Sequence, residues 1–93
     1  MQIYNYRLQV TGHFTRKGFG FSCMRLAYQY DVTGSFFYES PQSVIIEVYG
    51  LEDSITKLID HCRKAKFVED IRILEKKQTE KKSNEFIMLN QIE

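Results

Sequence analysis

A chain of 93 residues, 43% hydrophobic and 27% charged, has the composition of one ordinary globular domain (residues 1–93), which excludes a disordered polymer. Thirteen Lys and Arg against twelve Asp and Glu leave a formal charge of +1, so no global field recruits nucleic acid or an anionic membrane. Cys23 and Cys62 lack CxxC or zinc-ligand spacing, so neither a metal nor a cofactor is expected, and reduced thiols suit a cytoplasmic protein.

At the N-terminus Tyr4, Tyr6, Leu8 and Val10 recur at every second position, with polar residues between them, which predicts a half-buried strand ending at Gly12. This start lacks the basic residues and apolar block of a signal peptide, and the aliphatic run Val44-Ile45-Ile46 is far too short to span a bilayer. From about Phe19 to Tyr30 the period changes. Cys23, Ala27 and Tyr30 fall on one helical stripe. The run TGSFFYE, the turn SPQS and the run VIIEVYG then read as a β-hairpin.

Leu51, Ile55, Leu58, Ile59 and Cys62 form the clearest helical stripe, with Glu52 and Asp53 at its positive end and Lys64 and Lys66 near its close. VEDIRIL predicts a fourth strand, EKKQTEKKSNE (75–85) a solvated charged connection, and FIMLNQI a short closing strand that either stands alone or continues the fourth. The order βαββαβ predicts an α+β, ferredoxin-like two-layer sandwich, with two helices on one face of an antiparallel sheet.

The loop between the first strand and first helix carries the chemistry. Lys17-Gly18-Phe19-Gly20-Phe21 imitates the aromatic motif of RNA-recognition domains, but it precedes the first helix instead of lying on the third strand. Ser22 and Met24 also stand where that motif wants an aliphatic and an aromatic residue. A glycine-bearing loop that enters a helix suits an anion better, because backbone N–H groups and the helix start converge there. No Walker A pattern follows.

The frame Gly12-His13-Phe14-Thr15-Arg16-Lys17-Gly18-Phe19-Gly20 resembles the G-x-V-Q-G-V-x-F-R loop of acylphosphatases. Ala27, Asp31, Val32, Gly34, Ser35, Phe36 and Tyr38 fall in step with their A-x-x-x-G-L-x-G-W-V-x-N, and VYGLED matches without a gap. The resemblance implies an acylphosphatase fold whose loop holds the phosphate of a small acyl phosphate. It also implies a clamping arginine and a water-positioning asparagine. Here Gly20 and Tyr38 occupy those two places, while Arg16 replaces the loop glycine and Lys17 the valine after it.

The expectation is therefore an acylphosphatase-like domain with a degenerate catalytic site, binding phosphate through the amides of His13, Phe14, Thr15, Arg16, Lys17, Gly18 and Phe19. Two alternatives stand beside it. One is a working acylphosphatase that uses Arg16 or Lys17 in the clamp, with His13 as a proton carrier. The other is an interaction module whose Phe37, Ile45 and Tyr49, on the sheet face away from the helices, meet a second copy or a protein partner. His61 reads as a surface histidine and Cys62 as core.

Overall fold

A computed structural model describes residues 2–80 and 84–90. It contains β1 (Ile3–Gly12), α1 (Phe19–Gln29), β2 (Thr33–Ser40), β3 (Ser43–Gly50), α2 (Glu52–Arg63), β4 (Val68–Thr79) and β5 (Phe86–Met88). The strands form one sheet in the order β4-β1-β3-β2-β5, and the ferredoxin-like arrangement of two helices on one face is as the sequence predicts. β1 is central and antiparallel to both β3 and β4, and β2 is antiparallel to β3.

The alternating pattern sorts side chains as its period demands. Tyr6, Leu8 and Val10 of β1 and Val44, Ile46 and Val48 of β3 are buried. Phe36 and Tyr38 of β2 join them, against Phe19, Cys23 and Ala27 of α1 and Ile55, Leu58, Ile59 and Cys62 of α2. Ile45, Glu47 and Tyr49 lie on the other face.

Two expectations change. The stretch 75–79 is not a solvated connection, because β4 runs through it to Thr79. A register shift between Arg7 and Leu8 leaves Leu74 without an opposite number, and beyond it Glu75 pairs with Arg7, Lys76 with Tyr6 and Lys77 with Asn5. An edge strand needs a ladder on one side only, so charged residues suit it and guard its free edge. Lys76 Nζ also lies 2.7 Å from Glu52 Oε2 and 5.4 Å from the Tyr6 ring centroid, and the Tyr6 hydroxyl donates to the same carboxylate at 2.9 Å. This cluster ties β4 to the start of α2. Its lysine holds the Glu52 carboxyl below the usual range, and the carboxylate holds the Lys76 ammonium above its own.

The closing strand is likewise shorter than FIMLNQI. It covers Phe86–Met88 and does not continue β4. Instead it pairs in parallel with β2 on the far edge, so the sheet is mixed. Asn90 prolongs this edge contact by a side-chain imitation of a ladder: the Tyr38 N–H donates to its Oδ1 at 2.7 Å, and its Nδ2 donates to Tyr38 O at 2.9 Å. Residues 81–83 of the predicted connection and 91–92 of the predicted strand lie outside the described residues.

Candidate functional site

The loop 13–18 leaves the end of β1 and enters α1. Gly12 fixes its starting point, since a Cβ there would fall inside the carbonyl oxygen of Phe67. That close approach lets the His13 N–H donate to Phe67 O at 2.9 Å, while the Phe14 N–H donates to Pro41 O at 3.1 Å. At the apex the Lys17 N–H closes a turn onto Phe14 O at 3.1 Å. Two residues take the left-handed conformation, Arg16 (φ 59°) and Gly18 (φ 62°). Gly18 adopts it at little cost, and from that position its carbonyl accepts from Ser22 N–H to begin α1. Arg16 holds the same conformation with a full side chain, at the place where the resembling loops have glycine.

Of the seven amides expected to face an anion, those of His13, Phe14 and Lys17 are spent on carbonyl groups. The N–H groups of Thr15, Arg16, Phe19, Gly20 and Phe21 have no backbone acceptor among the described residues. They lie at or just before the positive end of α1, where an anion is favoured by typically about 0.3–1 kcal/mol. The side chains of Arg16 and Lys17 are exposed at the apex.

Beneath the loop lies an aromatic cluster that amide-based reasoning did not find. Phe14 and Phe19 stack at 5.0 Å, and Phe67 meets both edge-on at 6.1 and 5.6 Å. Phe36 meets Phe19 at 5.7 Å and Tyr38 at 4.8 Å. Each such pair contributes about 0.5–1.5 kcal/mol beyond burial, so the loop rests on a rigid floor. The available signal was the abundance of phenylalanine around the loop. Its convergence depends on Phe67, which arrives from the far side of α2.

The two positions of the resemblance that carry chemistry are both filled. Gly20 is buried in the first turn of α1, where a Cβ would overlap Met88 Sδ and lie 3.4 Å from Phe36 Cε1. A side chain growing from this point meets β5 before it reaches the loop. Tyr38 is 3% exposed and sends its ring into the core, 6.4 Å from Phe14. The amide of Asn90 lies beside Tyr38, but both of its polar ends are engaged by that residue's backbone.

His13 projects outward and lies 3.5 Å from Glu69 of β4, a carboxylate partner that the sequence alone did not reveal. Both groups are largely exposed, so this pair is a weak surface contact. His61 is exposed, with Nδ1 3.4 Å from the Tyr30 hydroxyl, and Cys62 is buried. Burial, and then the hydrogen bond to Cys62, push the Cys23 thiol up. On the face away from the helices, Phe37 is paired directly with Ile45, and Ile87 lies across from the neighbouring Ser35. Tyr49 lies further along β3 with its hydroxyl donating to Glu47, so it does not adjoin Phe37. No group of three or more metal-type ligands occurs among the described residues.

Comparison with solved structures finds the same backbone. An acylphosphatase from Bacillus subtilis superposes with a TM-score of 0.76 at 18% identity, covering 94% of this chain and 99% of that one. An acylphosphatase from Coxiella burnetii gives 0.79 at 18% identity, covering 94% and 93%. Full-length HypF, solved in a phosphate- and nucleotide-bound form, gives 0.81 at 19% identity, covering 96% of this chain but only 12% of that far longer one. No curated protein matches the sequence. Identities this low establish the fold and no more. The family profile called Acylphosphatase, however, matches residues 6–88, from the first core tyrosine of β1 to the methionine packed on Gly20, and on that extent the chain belongs to the acylphosphatase family.

Proposed function

We propose that this domain binds a phosphate-type anion at the 13–18 loop and the start of α1, and that its hydrolysis of carboxyl–phosphate bonds is lost or strongly impaired. The observation that carries the reading is the occupation of Gly20's surroundings by Met88, together with the inward ring of Tyr38. Phosphoryl chemistry of this kind depends on positioning and charge stabilisation, with little covalent work by the protein. An anion on the loop would meet backbone amides and the helix terminus, but no fork at position 20 and no amide at position 38 to orient a water. Removing one preorganised donor commonly costs about 10²–10³ in rate. The two losses together leave binding without an evident route to turnover.

The test is benzoyl phosphate hydrolysis beside the Bacillus subtilis acylphosphatase, with a parallel NMR titration by inorganic phosphate. A rate at least about 10³-fold lower is expected, with saturable shifts at the amides of Thr15, Arg16 and Phe19. A rate comparable to the reference enzyme refutes the impairment, and silent loop amides refute the anion site.

A further inference from the structure

The second helix and the first meet over a groove of about 450 Å³ that the loop chemistry does not use. Its walls come from two stretches distant in sequence. One is 17–29, the end of the loop and α1, and the other is 61–67, the end of α2 and the turn after it. Together these stretches hold five of the protein's thirteen Lys and Arg residues and none of its twelve Asp and Glu residues. In a chain of net charge +1, these two stretches are therefore locally cationic. Three of these cations line the groove itself: Lys17 at the loop end, Arg25 on α1 and Lys64 at the close of α2. All three are exposed, and none is ion-paired among the described residues.

The floor is of the opposite character. The half-buried Phe67, Leu26 and Ala65 offer its apolar surface, backed by the buried Phe19 and Cys62. A concavity of this volume suits a small ligand, whereas a nucleic-acid strand calls for a longer basic groove that tracks its backbone. Because the cations stand at three places around the groove, the loop end, the middle of α1 and the close of α2, a ligand that engages all of them carries more than one negative group. Because the floor is apolar and partly aromatic, the ligand also carries a flat apolar body.

We infer that the groove between α1 and the end of α2 binds a small aromatic polyanion, held by Lys17, Arg25 and Lys64 over the half-buried Phe67, Leu26 and Ala65. The groove touches the end of the loop at Lys17 and Phe19, but Arg25 and Lys64 lie outside the 13–18 loop, so the inference stands whether or not the loop amides bind phosphate.

The experiment is an NMR titration of the whole chain at low salt with metal-free ATP, benzene-1,3,5-tricarboxylate, adenosine and inorganic phosphate. Saturable shifts at Ser22, Arg25, Leu26 and Ala65 are expected with ATP or the tricarboxylate and not with adenosine. ATP alone would mark a phosphate ligand, the tricarboxylate alone a polycarboxylate. Arg25→Glu/Lys64→Glu, which alters exposed side chains only, is expected to weaken binding by about tenfold or more. Ala65→Leu fills the floor without changing charge and is expected to weaken it as well. The inference is overturned by the absence of saturable shifts with both anions, or by shifts that survive the charge reversal. Tighter binding of a single-stranded oligonucleotide than of ATP, spread across both stretches, overturns it in favour of a nucleic-acid surface.

Discussion

Arg16 is the residue at which inherited backbone geometry and present sequence disagree most openly. Its φ of 59° places a β-carbon against the following carbonyl, which costs an L-residue roughly 1–2 kcal/mol. Arg16→Gly removes that cost, and the greater freedom of glycine in the unfolded chain returns about 0.4–1 kcal/mol of it. The net expectation is stabilisation by about 0.5–1 kcal/mol. For a domain of this size that raises Tm by about 2–8 °C, at ~4–8 °C per kcal/mol. Arg16→Ala is the control, because it removes the exposed guanidinium and keeps the strained backbone, so its stability stays within about 0.5 kcal/mol of wild type. Thermal unfolding followed by circular dichroism reads both variants. A lower Tm for Arg16→Gly beside a neutral Arg16→Ala would show that the left-handed turn is not the solution conformation. The argument that the phosphate-type loop persists without its glycine would then fail. Equal destabilisation by both variants would instead reveal a contact of the guanidinium that outweighs the strain.

Packing between α1 and β5 gives a second prediction, in which the sign of one mutation depends on another. Gly20→Ala should lower stability by about 1 kcal/mol, since displacing Met88 at typically about 1–3 kcal/mol outweighs the ~1 kcal/mol of helix propensity gained. In a Met88→Ala background the same change should stabilise, and urea unfolding of the four proteins measures the reversal. Titration of the Glu52 cluster gives a third. The folded-state pKa of Glu52 is lowered, so its contribution is present above the unfolded value of about 4.3 and is lost as pH falls through the folded one. Glu52→Gln should therefore flatten the decline of Tm on acidification below about pH 5, and should speed hydrogen exchange at residues 75–79. An unchanged acid profile would mean that the carboxylate is not engaged by Lys76 and Tyr6 in solution.

Much of this molecule is written in local periodicity. The twofold alternation around Tyr6, Leu8 and Val10, and around Val44, Ile46 and Val48, determines both the strands and the face they bury. The spacing of Ile55, Leu58, Ile59 and Cys62 does the same for α2. The substitutions at Gly20 and Tyr38 are equally visible, because they are identities at fixed positions in a frame. Periodicity reports which residues are buried, however, and is silent where none is. That is why the polar end of β4 escapes it: Glu75 to Thr79 is held by a one-sided ladder to β1 and by Lys76 reaching Glu52 on α2, partners supplied by other parts of the chain. The same limit hid Met88 behind Gly20, Phe67 beneath Phe14, and Glu69 beside His13. The sequence by itself determined the order of the elements and, apart from the polar end of β4 and the length of β5, their extent. Only the tertiary structure decided what packs against Gly20 and which cations share a groove, because both depend on contacts between segments that no local pattern connects.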